Sequence, residues 1–219
     1  GVLLKNVNGV KIAFIAYTKG LNYLTLPEGE EYAVDVLYTD YASDFNKINE
    51  SAILDSVNAA KALQPDVIVA MLHWGSESDS AVTDSQKKIK NLLFENGVDA
   101  IIGSHSHVMQ ELGCIEVANK KDSKRVPVFY GLGNYIWGVA PMPGRETVNH
   151  GMIAKLNITV AEDGTVSAKP SYVPLEIAQA ANEFTVLDLS ANEAPKTWFE
   201  REQKYKFSYF RALYEIEQT

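Results

Sequence analysis

The sequence predicts an α/β fold built on a partly parallel sheet, and three observations carry that prediction. Residues 49 to 102 alternate helix, strand, helix, strand. Both strands in that stretch are short, nearly continuous apolar runs, the pattern of strands covered on both faces. Each run then ends in histidine-bearing polar residues, where an α/β sheet collects its ligands.

The elements follow in order. Val2 to Val7 and Val10 to Tyr17 flank Asn8-Gly9 and read as a β-hairpin, because Asn-Gly suits the tight turn whose backbone matches strand twist. Residues 18 to 44, with Pro27, Gly29 and several tyrosines, read as a long loop. Asn49 to Leu63 has helical spacing, with Ile53, Leu54, Val57, Ala60 and Ala62 near one face, and Gln64-Pro65-Asp66 ends it. A strand over 66–72 follows. Thr83 or Asp84 caps a second helix through Ile89, Leu92, Leu93 and Phe94, which Asn96-Gly97 stops. A strand over 98–102 completes one crossover unit.

The second half is richer in strands. Leu112 to Ala118 and Arg125 to Tyr130 flank a polar turn. Ile153 to Val160 and Thr165 to Val173 flank Glu162-Asp163-Gly164, a strong hairpin signal. Trp198 to Glu217 reads as a charged, aromatic helix. The organisation expected is a main domain over 1–175 and an extension with an amphipathic helix over 176–219.

Composition narrows the function. The chain has 219 residues, 46% of them hydrophobic, enough for a sizeable core. With 20 basic against 28 acidic residues the net charge is −8, which argues against nucleic acid or an anionic membrane as partner. Cys114 is the single cysteine, so no internal disulfide forms. No apolar run approaches the roughly 18 residues of a membrane span. Serine-nucleophile motifs, P-loops and dinucleotide-binding glycine patterns are absent.

The chemistry concentrates in three places. Gly103-Ser104-His105-Ser106-His107 follows the strand 98–102, and two imidazoles one residue apart can aim at one point, as transition-metal ligands do. The pair reads as a metal or phosphate site, or as loop histidines bonded to carbonyls. His73-Trp74-Gly75-Ser76-Glu77 follows the strand 66–72. There His73 is a third ligand with Glu77 accepting a hydrogen bond from a ligating imidazole, or the loop is solvated and Trp74 packs. Asn134, in Tyr130-Gly131-Leu132-Gly133-Asn134-Tyr135, orients a substrate oxygen or caps a turn, and its two glycines allow close passage of another element. His150 reads as structural or exposed. Lys120, Lys121, Lys124 and Arg125 read as a solvated basic turn.

Four segments occur together in order: Asn8 to Thr18, His73-Trp74-Gly75 with Glu77, Gly103 to Val108 with Gln110, and Tyr130 to Tyr135. In this the chain resembles the CapA family, the bacterial poly-γ-glutamate capsule synthesis proteins, which are similar to calcineurin-like metallophosphoesterases. The resemblance implies a metallophosphoesterase-like β-sandwich flanked by helices. It implies that His73, His105 and His107 are ligands of a divalent metal ion (Mn, Zn or Fe), with Asn134 and Glu77 orienting a ligand or the substrate. It further implies metal-dependent hydrolysis or transfer on poly-γ-glutamate or a phosphate ester, at an extracytoplasmic, membrane-associated location. The early Gly-Asp, Asn-Leu-Glu and Asn-Asn-His motifs of that family, which supply bridging ligands, do not occur here. The chain is therefore read as the C-terminal portion of such a domain, expected to associate with an N-terminal portion or to form a homo-oligomer through exposed strand edges. Two other functions compete: a polymer-binding or export factor without catalysis, and a small-molecule phosphodiesterase or nucleotidase.

Overall fold

The computed structural model describes residues 1–118, 123–136, 146–180 and 183–190. The opening hairpin forms as expected, β1 (Val2–Val7) against β2 (Val10–Thr18), turning through Asn8 and Gly9, both at positive φ. Helix α1 (Glu50–Ala62) leads to β3 (Val67–His73), and α2 (Asp84–Glu95) leads to β4 (Ala100–Ser104). β5 (Leu112–Ala118) and β6 (Ser123–Phe129) form an antiparallel pair. These six strands make one sheet, ordered β1-β2-β3-β4-β6-β5, whose central strands β2, β3, β4 and β6 run parallel.

Local chemistry sets the helix boundaries. At the start of α2 the Thr83 hydroxyl accepts from Gln86 N–H, and the Gln86 side chain accepts from Thr83 N–H, a capping box that satisfies two orphan donors. Its exit runs through Gly97 at φ +87. Two carboxylates staple the entry of β3: Asp66 accepts from Lys11 N–H at 2.7 Å and Asp99 accepts from Ile68 N–H at 2.6 Å.

The alternation along β2 and β3 divides the core. Ala13, Ile15, Tyr17, Ile68, Ala70 and Leu72 face the helices and pack with Ile53, Val57, Ile89 and Leu93. Ile12, Val67, Val69 and Ala100 face the other way, onto Leu156, Ile158 and Val166 of a second sheet. That sheet is antiparallel and ordered β7-β8-β9, from β7 (His150–Val160), β8 (Val166–Ala180) and β9 (Glu183–Asp188). Helices, sheet and sheet thus form three layers, the helix-flanked sandwich that was expected.

One expectation needs correction. The strand ending at Val173 in the sequence reading continues to Ala180, and β9 extends the same sheet. Pro170 and Pro174 lie within this strand, although proline cannot donate to a ladder. In the fold Leu189 N–H donates to Pro174 O at 3.0 Å, so the backbone groups of Pro174 face away from β7 and its missing N–H removes no bond to that strand. The helix expected over Trp198 to Glu217 and the basic turn around Lys120 and Lys121 lie outside the described residues. So do residues 191–219 of the extension.

The long loop over 18–44 is loop, yet it is not loose. Thr18 bridges Val36, Tyr38 bridges Ile48, and Leu37 and Tyr38 are fully buried. Its outer part wraps the C-terminal ends of β2 and β3.

Candidate metal centre

Parallel register brings the site together. Thr18 is level with His73, and His73 with Ser104, so the C-terminal ends of β2, β3 and β4 form one row. His105 follows directly, and its ring centroid lies 4.4 Å from that of His73, with the planes inclined by 51°. His105 and His107 both hold positive φ, +97 and +58, a conformation costing on the order of 1 kcal/mol or more per residue that persists only where surroundings impose it.

Close packing fixes glycine at position 103. A Cβ there would collide with Tyr130 O and with the Trp74 indole nitrogen. The missing side chain is what lets Trp74 Nε1–H donate to Tyr130 O at 2.8 Å while the two rings stack at 5.7 Å. Trp74 is fully buried, so the His73-Trp74 segment packs and presents chemistry at once.

Hydrogen bonding selects the tautomers of two histidines. The Thr18 hydroxyl donates its one proton to Gly20 O at 3.1 Å, so at 3.3 Å it accepts from His73 Nδ1–H. Asn134 spends both amide protons on carbonyls, His107 O at 3.2 Å and Val148 O at 2.8 Å. Its Oδ1 then accepts from His107 Nδ1–H at 2.9 Å. In both rings Nε2 is left as the lone-pair nitrogen, the arrangement of a ligating imidazole whose other nitrogen is anchored. The buried Asn134 amide grips His107 by ring and backbone. Gly133 permits this, since it bridges Gly151 on β7 where a Cβ would strike the His150 carbonyl.

Electrostatics favour the neutral forms of His73 and His105. Burial, then the neighbouring His73 and Lys19, push His105 down to about 4, against the pull of Glu77. Burial and His107 hold His73 below the usual imidazole range, again opposed by Glu77. The consequence for pH has a definite sign. The folded His105 value lies below the unfolded one, so as pH falls the unfolded chain takes the proton first. This contribution is complete above about pH 6.5 and is lost as pH drops towards 4. Because the ring is half-buried, screening holds it to about 1 kcal/mol. Ring-nitrogen NMR is expected to show His105 neutral until near pH 4, and the metal-free chain to unfold at lower denaturant at pH 5 than at pH 7.

Glu77 lines the cavity shared with His73 and His105. Among the described hydrogen bonds the imidazole partner is Thr18, not Glu77. Its loop is tied down by two buried glutamines: Gln86 Nε2 donates to Gln110 Oε1 at 2.9 Å, and Gln110 Nε2 donates to Asp79 O and Ala81 O at 3.0 Å. Thr18, Lys19 and Gln86 were not singled out in the sequence. Thr18 and Lys19 end an apolar strand level with His73, which is the signal that points to them. His150 is buried, as one of its two expected readings had it.

The residues fit a divalent metal in kind and in protonation, but not in number. Imidazoles anchored at Nδ1 suit Mn, Zn or Fe, yet among the described residues no three His, Cys, Asp or Glu side chains converge closely enough to hold one ion. His107 lies near enough to act electrostatically on both rings of the His73–His105 pair.

The family model described as bacterial capsule synthesis protein PGA_cap matches residues 2–139, which contain every one of these residues. The chain belongs to this family. PGA_cap relatives include the capsule biosynthesis protein CapA of Bacillus anthracis, 24% identical over 139 residues, covering 62% of this chain and 29% of that protein. The PGA biosynthesis protein CapA of Bacillus subtilis (strain 168) is 28% identical over 138 residues, covering 61% of this chain and 30% of that protein. The chain thus spans under a third of the length of these curated relatives. Among solved structures, the calcineurin-like phosphoesterase YfkN of Bacillus subtilis aligns over 97% of this chain and 58% of its own, with 14% identity and a TM-score of 0.33. No described helix of this PGA_cap chain is long and apolar enough to cross a membrane.

Proposed function

We propose that this chain carries the histidine half of a metal-dependent hydrolase or transferase site that acts in capsule synthesis, on poly-γ-glutamate or a phosphate ester at the cell surface. The observation that supports it best is the pair of neutral imidazoles, His73 and His105, 4.4 Å apart at adjacent parallel strand ends in a PGA_cap chain. A divalent ion held there would polarise a phosphoryl or carbonyl oxygen as a Lewis acid. His107, fixed by Asn134, completes the imidazole set. The ligands still lacking come from outside the described residues, in another segment or a second copy. The β1 edge, with Leu3, Leu4 and Val7 exposed, offers that added part a strand to pair with.

The incomplete ligand count favours one second reading, a polymer-binding or assembly factor without turnover. The two are separated by assaying the full-length protein on poly-γ-glutamate and on simple phosphate esters, with and without His105→Ala/His107→Ala. The hydrolase reading expects turnover that falls by about 100-fold or more in the variant. Polymer binding that survives both chelation and the substitutions, with no turnover, replaces it. Turnover of phosphate esters alone selects a small-molecule phosphoesterase.

A further inference from the structure

The loop over 19–45 does more than cover the strand ends. Between it and the histidine pair lies a cavity of about 340 Å³, lined by Lys19, Tyr23, Tyr41 and Phe45 on one side and by His73, His105 and Glu77 on the other. Lys19 follows directly on Thr18 and is half-buried. Its ammonium donates to Gly75 O at 2.7 Å and lies 4.7 Å from the centre of the Phe45 ring. These contacts fix the group and use one of its three N–H donors. Among the described residues no carboxylate lies within ion-pair distance of it; Glu77, across the same cavity, acts on it only at longer range.

A lysine usually keeps its charge in water at the end of a mobile stem. Here the stem is immobilised and the charge partly desolvated against a carbonyl and an aromatic face, an arrangement that costs free energy until an anion arrives. The surrounding loop shows a second sign of constraint. Asn22, Tyr23 and Phe45, all cavity residues, hold positive φ values of 50, 67 and 55. Such outliers cluster where a ligand site over-determines the backbone. Tyr23 is 98% exposed at the rim, although aromatic rings are ordinarily at least partly buried.

We infer that this cavity is a subsite for an anionic oxygen group of the substrate, a carboxylate or a phosphoryl group, held by the Lys19 ammonium beside the histidine pair. Two N–H donors remain for the anion, and the half-buried rings of Tyr41 and Phe45 lower the local dielectric and strengthen the ion pair. In a chain of net charge −8, such a local cation is what draws an anionic ligand to this end of the sheet. The inference deepens the proposed function, and rests on it only for what lies next to the bound anion.

The test titrates inorganic phosphate and a γ-linked glutamate trimer into the full-length protein in the presence of chelator. It compares wild type, Lys19→Met, Lys19→Gln and Lys19→Arg. Glutamine can still donate to Gly75 O without carrying charge, so it controls for a fold that needs that contact. Binding is expected in wild type, to weaken about tenfold or more in Lys19→Met and Lys19→Gln, and to be retained in Lys19→Arg. Phosphate alone, the trimer alone, or both identify which oxygen group is taken, and each supports the subsite. Failure of both probes to bind, or binding that persists in the Met and Gln variants, overturns it. Mn²⁺ titration of the same proteins separates this outcome from the metal reading. Lysine-dependent anion binding without metal binding keeps the subsite and rejects the metal centre, and metal binding without lysine dependence does the reverse.

Discussion

Full-length protein carrying His73→Ala and His105→Ala is expected to lose saturable binding of Mn²⁺ and Zn²⁺, with affinity falling by more than about 100-fold. The two rings lie 4.4 Å apart, and burial favours in both the neutral form that a metal requires. Each single variant removes one of the two adjacent donors and is expected to lose a large part of the affinity. Asn134→Leu gives a graded result. It removes the acceptor that fixes His107 Nδ1–H and strands the carbonyls of His107 and Val148. Loss of such an outer contact costs about 10- to 100-fold in affinity. Calorimetric titration reads both. Equal affinity in wild type and the double variant would place the metal, if any binds, elsewhere.

The second large effect is on stability. Gly103→Ala is expected to destabilise the chain by about 3–5 kcal/mol, equivalent to a fall in Tm of about 10 °C for a domain of this size. The added methyl meets Tyr130 O, the Trp74 indole nitrogen and, at 2.8 Å, Phe129 O. Two of these are backbone, and Trp74 is fully buried with no room to retreat. Relief requires parting β4 from β6, which breaks Trp74 Nε1–H to Tyr130 O and Leu132 N–H to Gly103 O, at 2.8 and 3.2 Å. Because the same movement carries His105 away from His73, metal binding should fall with Tm. Thermal denaturation by circular dichroism within about 2 °C of wild type would show that the strand ends adjust more freely than the packing implies.

Much of this architecture is legible because it rests on local rules. Asn8-Gly9, the capping box at Thr83, Asn96-Gly97 and the apolar runs before His73 and His105 each specify a turn, a cap or a buried strand within a few residues. The extension was harder. The strand runs on past Val173 because Pro174 turns its backbone groups away from β7, and only the pairing partner decides that. β9 went unseen because Glu183 to Asp188 is short, and its strand character comes from a neighbour already in place.

At the site the same division holds. The sequence by itself determined that three histidines stand at the ends of adjacent strands with an asparagine downstream, because strand periodicity and glycine placement are properties of the chain. Tertiary structure decided what each residue does. Parallel register set Thr18 level with His73 and put Lys19 on the cavity wall. The approach of residues 131–134 to β7 turned Asn134 into the clamp of His107. Close packing of Trp74 on Tyr130 demanded glycine at position 103. Such roles depend on contacts between residues dozens of positions apart, and a contact of that kind leaves no periodicity, cap or turn signal in the local sequence for a reader to find.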